Sequence, residues 1–233
     1  MKKGKIKSFL LDLFFPKFCL NCQREGSFLC EDCKAILDIS SSHQKFQTGN
    51  LSDLYYPLEY KNPLIKNLIK HFKYEPFIKE LAKDLTSLII NHFQLLDKKP
   101  SFLKKNPNYV LVPVPLEKRK LKWRGFNQSE EIGKEISKFL NIPLINDILF
   151  KIKETPPQVE LSEKEREENI KEVFIIRNRE KILGKKILLV DDIYTTGSTM
   201  EECSQVLKKA GATEVIGIVI ARAAPGQDQF KNI

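Results

Sequence analysis

Apolar residues recur at helical spacing at Leu64, Ile65, Leu68, Ile69 and Phe72, and again after Pro76 at Phe77, Ile78, Leu81, Ala82, Leu85, Leu88 and Ile89. Each series lines one stripe of a helix, so two amphipathic helices are predicted. The pattern then changes. Short apolar runs follow at Tyr109 to Val114, Asp147 to Ile152, Val173 to Ile176, Ile187 to Val190 and Glu214 to Ile220, with helical patterns from Gln128 to Leu140 and from Thr199 to Ala210. Strands rich in β-branched residues that alternate with helices predict a mainly parallel sheet covered on both faces. Ligands of such sheets bind beyond the carboxyl ends of the strands, so the chemistry is expected there.

Ser40 to Asn50 is rich in Ser and Gln and weakly periodic, which reads as a linker. The expected organisation is an N-terminal segment at 1–39, a linker at 40–50, the main α/β domain at 51–225 and a tail at 226–233. Lys2, Lys3, Lys5 and Lys7 before the apolar run Phe9 to Phe15 imitate a secretory leader. Asp12 interrupts that run, and Pro16-Lys17 stands where small cleavage-site residues belong, so export is not expected. No apolar run reaches the ~18 residues that span a bilayer. The reading is therefore cytoplasmic, with the apolar patch packing on the main domain in preference to a membrane surface. With 42% hydrophobic and 30% charged residues, the 233-residue chain falls among soluble globular proteins rather than disordered or fibrous ones. Its net charge of +9 favours anionic partners such as phosphates or nucleic acid.

Four of the five cysteines form C-x2-C-x7-C-x2-C at Cys19, Cys22, Cys30 and Cys33. Two such turns can aim four thiolates at one centre, the closed tetrahedral shell of a structural Zn2+ site. Two disulfides would need an oxidising compartment, which the expected location argues against. A segment this short buries little apolar surface, so metal binding would supply its folding energy. Such a knuckle either supports its neighbour or touches nucleic acid, and both roles stay open. Cys203, the fifth cysteine, falls in an expected helix and reads as a small buried residue.

The richest stretch runs from Ile187 to Thr199: an apolar strand, then Asp191 and Asp192, then Thr195, Thr196, Gly197, Ser198 and Thr199 opening a helix. Small residues let backbone N–H groups converge on a phosphate, hydroxyls add donors, and the helix start contributes its dipole. Adjacent acids can accept hydrogen bonds from two vicinal hydroxyls. The Walker-type phosphate loop is excluded, since no G-K-[ST] follows. Upstream, Pro113, Val114 and Pro115 lead into Lys118, Arg119, Lys120, Lys122 and Arg124, then Gly125, Phe126, Asn127, Gln128 and Ser129. Five cations in one short loop at a strand end suit a pyrophosphate, through charge-assisted and partly bidentate bonds.

The strand, acid pair and Thr-Thr-Gly-Ser-Thr loop together resemble the signature of type I phosphoribosyltransferases. The P-V-P strand end followed by R-G-F-N-Q, with Thr155-Pro156-Pro157-Gln158, Leu161, Arg166, Asn169 and Phe174 downstream and the cysteine module upstream, resembles the competence protein F (ComF) family over nearly the whole chain. That resemblance implies a type I phosphoribosyltransferase fold behind a small zinc module. Asp191 and Asp192 would hold the ribose hydroxyls of phosphoribosyl pyrophosphate or a related sugar phosphate, and 195–199 its 5-phosphate. Arg119 and Arg124 would face the pyrophosphate, with which Mg2+ would arrive. Segment 153–172 lies where type I enzymes close a flexible loop, with Arg166 as a lid contact. Tyr194 stands where the general signature has an aliphatic residue.

The family resemblance implies a role in natural transformation, in handling incoming single-stranded DNA together with DNA-uptake proteins. The alternative is an Mg-dependent transferase that moves phosphoribose onto a nitrogen base, with Asp191, Asp192, Arg119 and Arg124 as its catalytic residues. A ligand-sensing regulator ranks last, because no DNA-reading helix-turn-helix is recognisable.

Overall fold

The computed structural model describes residues 16–104, 108–152 and 173–223. In chain order they form helix α1 (Glu31–Ala35), strands β1 (Gln44–Lys45), β2 (Asp53–Tyr55) and β3 (Leu58–Glu59), and helices α2 (Pro63–Lys73) and α3 (Leu81–Leu95). Strand β4 (Tyr109–Pro113), helices α4 (Lys118–Arg124) and α5 (Gln128–Leu140), and strands β5 (Leu149–Lys151) and β6 (Phe174–Ile176) follow. The chain continues through β7 (Lys186–Val190), β8 (Ile193–Tyr194), α6 (Ser198–Lys209), β9 (Glu214–Ile218) and β10 (Ala221–Arg222).

The main sheet has the order β1-β2-β9-β7-β4, with β2, β9, β7 and β4 parallel and β1 antiparallel at the edge. Alternation decides which face each side chain covers. Leu111, Leu188, Ile216 and Ile218 meet the apolar stripes of α2, α3 and α5 on one face, whereas Val110, Val112, Ile187, Leu189 and Val215 pack with Met200, Cys203 and Leu207 of α6 on the other. Cys203 is the small buried residue expected of it. Asn62 starts α2 by accepting the Leu64 and Ile65 N–H groups at 2.9 and 3.3 Å, ahead of Pro63, which suits a first helical position.

Three strands of the main sheet resume after a break. β3, β10 and β8 form a second parallel sheet in the order in which β2, β9 and β7 lie in the first. The breaks are Tyr56-Pro57, Val219-Ile220 and Asp191-Asp192, two residues each.

Three segments differ from the sequence expectation. Lys118–Arg124, expected as a loop, is helical, because its residues tolerate the conformation and Gly125 ends it at φ 81°, donating to the Leu121 carbonyl at 2.8 Å. β5 and β6 stand outside the parallel sheet and pair antiparallel with each other, Leu149 opposite Ile176. The stretch read as a linker contributes β1, and Glu201 of α6 accepts the Asn50 and Leu51 N–H groups at 2.6 and 3.2 Å. The N-terminal apolar patch, the segment 153–172 with Arg166, and the tail lie outside the described residues. Among the described residues, no helix is long and apolar enough to cross a membrane.

Candidate functional site

The break between β7 and β8 locks the backbone of both acids. Val190 C=O accepts from Val114 N–H at 2.9 Å, Asp191 N–H donates to Ile218 C=O at 3.0 Å, and Asp192 C=O accepts from Ile220 N–H at 2.9 Å. The side chains are fixed as well. Asp191 Oδ1 accepts from Ser129 Oγ and from the Asp192 N–H, both at 2.8 Å, and Asp192 Oδ1 lies 2.9 Å from Lys73 Nζ. Burial, and then the neighbouring Asp192 charge, push the Asp191 carboxyl up to about 7, against the Lys73 charge and the Ser129 hydrogen bond. Burial works against the Lys73 ammonium, but the charge and hydrogen bond of Asp192 outweigh it and hold its pKa above the ordinary lysine value. Two carboxyl groups and one ammonium thus share a small volume.

Beyond the acids, residues 195–199 turn into α6. Gly197 is the N-cap residue at φ 84° and has no side chain to cap the first turn, and the Ser198 N–H that opens the helix donates to Thr196 Oγ1 at 3.4 Å. Thr196 Oγ1 and Ser198 Oγ lie 2.9 Å apart and line the same turn, with Thr195 preceding them and Thr199 entering the helix. A methyl group at Gly197 would overlap the Tyr194 hydroxyl, so Tyr194 fills the space that an aliphatic residue would leave. Gly197→Ala is expected to cost about 1–2 kcal/mol for the left-handed backbone alone, lowering the melting temperature by about 2–8 °C. Unchanged melting would show that the turn is free to rearrange.

The stretch after β4 serves two purposes. Asn127 caps α5 by accepting the Ser129 N–H at 3.1 Å and donates Nδ2–H to Val114 C=O at 3.0 Å, while Gln128 donates Nε2–H to Phe72 C=O at 3.4 Å. Phe126 packs on Phe72, ring centroids 5.5 Å apart. These residues brace Ser129 and the Lys73 end of α2 against the acids. Arg124 is half-buried, with its guanidinium 5.9 Å from the Tyr74 ring centroid and its buried Nε without a hydrogen-bond partner among the described residues. Burial lowers its pKa, and the Asp192 charge opposes that. Arg119 lies elsewhere, on a cavity of about 500 Å³ that Pro113, Pro115, Asn127, Phe150 and Arg177 also line.

Two members of the site escaped the sequence reading. Lys73 extends the i, i+4 series Ile65, Ile69 on the buried stripe of α2, and a charge on an apolar stripe is the signal that could have flagged it. Ser129 carried no such mark.

The four sulfurs of Cys19, Cys22, Cys30 and Cys33 lie within 4.8 Å of one another. Tetrahedral Zn–S bonds of about 2.3 Å put ligand sulfurs about 3.8 Å apart, so the cluster fits a four-sulfur metal site after small adjustment. Asn21 Nδ2–H points to Cys33 Sγ at 3.2 Å. Asn67 of α2 donates to Leu20 C=O at 2.9 Å, and Leu29 and Leu37 enter the core beside α2 and α3, so this module docks on the helix that carries Lys73.

The phosphoribosyl transferase domain family matches residues 127–231. The chain is 30% identical over 210 residues to Competence protein F of Haemophilus influenzae, covering 90% of this chain and 86% of that protein. It is 28% identical over 204 residues to DNA utilization protein YhgH of Escherichia coli, covering 84% and 85%. Over 165 residues it is 28% identical to Competence protein ComFC of Bacillus subtilis, covering 70% and 61%.

Proposed function

Because the chain belongs to the competence protein F family, with a type I phosphoribosyltransferase domain behind a four-cysteine module, we propose that it binds phosphoribosyl pyrophosphate and serves the handling of incoming single-stranded DNA. The carrying observation is the pair Asp191 and Asp192, held by main-chain bonds at the carboxyl end of β7 and followed, after the two residues of β8, by the turn into α6. Two carboxylate oxygens at that point suit the vicinal hydroxyls of ribose, and the amides and hydroxyls of 195–199 suit its 5-phosphate. Arg124, and Arg119 of the same helix α4, supply positive charge for the pyrophosphate, with which Mg2+ enters. The four-sulfur centre holds Zn2+ in a structural role. The DNA role draws on the names of the relatives, a competence protein and a DNA utilization protein, and on the net charge of +9.

Calorimetric titration with phosphoribosyl pyrophosphate and Mg2+ tests the sugar-phosphate reading. Saturable binding is expected for the unaltered chain. Asp191→Asn/Asp192→Asn should weaken it about 100-fold or more, since hydrogen bonds to charged acceptors contribute about 1.5–3 kcal/mol each. Absence of binding, or equal binding by a folded double variant, refutes the assignment.

A further inference from the structure

The sugar-phosphate site uses Arg119 and Arg124 and leaves the rest of α4 unexplained. Lys118, Lys120 and Lys122 are exposed, and among the described residues no ion pair neutralises them. The contrast with α5 is informative, since Lys134 and Lys138 there pair with Glu130, Glu131 and Glu135 as solvated helix lysines usually do. α4 contains no acid at all. Its Lys118 and Lys122 stand at the repulsive i, i+4 spacing, and Lys118 and Arg119 face the positive end of the helix dipole. Glu117 at the N-cap and the last-turn positions of Lys122 and Arg124 offset part of this, and the remaining excess of positive charge makes an external anion its natural counterpart.

Trp123, the chain's one tryptophan, lies among these cations. It is 55% exposed and held edge-to-face against Phe77, with ring centroids 4.8 Å apart. The indole is therefore fixed in position and still open to solvent. Fixed aromatic rings interleaved with lysines are what single strands require: bases stack on the ring while phosphates follow the charges. The diol site cannot serve the same strand. Internal DNA nucleotides have no 2′-hydroxyl and an esterified 3′-oxygen, so Asp191 and Asp192 would meet only phosphate charge.

We propose that the exposed face of α4 is a single-stranded nucleic-acid track on which Trp123 stacks a base and Lys118, Lys120 and Lys122 hold phosphates. The inference rests on the DNA-handling reading above and locates it apart from the acid pair.

The test is titration of the full-length protein with fluorescein-labelled oligo(dT) of about 20 nucleotides at low salt, read by anisotropy and by quenching of Trp123. Oligo(dT) is expected to quench the indole. Trp123→Ala should weaken binding about 5- to 100-fold while leaving phosphoribosyl pyrophosphate binding as it was, and Trp123→Phe should restore much of the loss. Lys120→Gln/Lys122→Gln should reduce the slope of log affinity against log salt by about 1.4. Binding with an unquenched indole and unaffected variants would overturn the α4 track and leave the DNA reading intact. No binding at low salt would overturn both. If vesicles of anionic phosphatidylglycerol shift the indole emission to the blue and displace oligo(dT), the face is a membrane surface and the track is refuted.

Discussion

Replacing Lys73 by Met is expected to destabilise the protein by about 3–5 kcal/mol at pH 8, the usual cost of removing one partner from a largely buried charge pair. At pH 5 the same substitution should cost far less. Asp191 has its folded pKa raised to about 7, above the ~3.9 of an unfolded aspartate. The folded state therefore binds more protons than the unfolded state between about pH 4 and 7, and stability falls as pH rises through that window. Lys73 offsets part of this loss by lying 2.9 Å from Asp192 and lowering the Asp191 pKa through its charge. Without it, the decline with pH should steepen. Asp191→Asn should remove most of the decline, because an amide does not titrate in this window, while its oxygen can still accept from Ser129 and from the Asp192 N–H. Thermal melts of the three proteins from pH 5 to 8 decide the matter. Equal losses for Lys73→Met at both ends would mean that the ammonium acts through packing rather than charge.

The second large effect concerns the four-sulfur centre. Cys30→Ser, or a strong chelator under reducing conditions, is expected to unfold residues 16–37 and release one bound zinc per chain, read by a colorimetric zinc assay and hydrogen exchange. The effect should reach the main domain, because Leu29 and Leu37 are buried in the core beside α2 and α3. Losing two such side chains costs about 1.5–3 kcal/mol each, so melting should fall by at least about 6 °C. A chain that contains no metal, or whose melting ignores the chelator, would show that the cysteines pack as free thiols.

Much of this was legible because local signals agreed with the tertiary arrangement. Asn127 before the apolar periodicity of 128–140 marks the start of α5, and the structure begins the helix at Gln128. The runs around β4, β7 and β9 are apolar beyond Lys186 and Glu214 at their starts, as strands buried on both faces must be, and they became adjacent parallel strands. The sequence did not reveal α4, since a helix without an apolar face leaves no periodicity to detect. It did not reveal either that β5 and β6 pair antiparallel with each other outside the main sheet, because the partner of a strand is decided by long-range topology rather than by its own pattern. In the candidate site the acids and the turn announced themselves by spacing within one segment. Lys73 and Ser129 come from two other helices, and only the packing of α2 and α5 on the sheet brings them to the acids.

The paired breaks in the two sheets bear on how this fold can diverge. Tyr56-Pro57, Asp191-Asp192 and Val219-Ile220 are spacers of equal length on three neighbouring strands, and each is flanked by residues already committed to a ladder. An inserted or deleted residue in Tyr56-Pro57 or Asp191-Asp192 would put β3 or β8 out of step with β10, and one in Val219-Ile220 would put β10 out of step with both. Side chains can be exchanged there far more freely than length can change. Descendants of this architecture can therefore lose or gain acids at the spacer, and with them the ribose binding proposed for Asp191 and Asp192, while the geometry that presents those two positions is inherited intact.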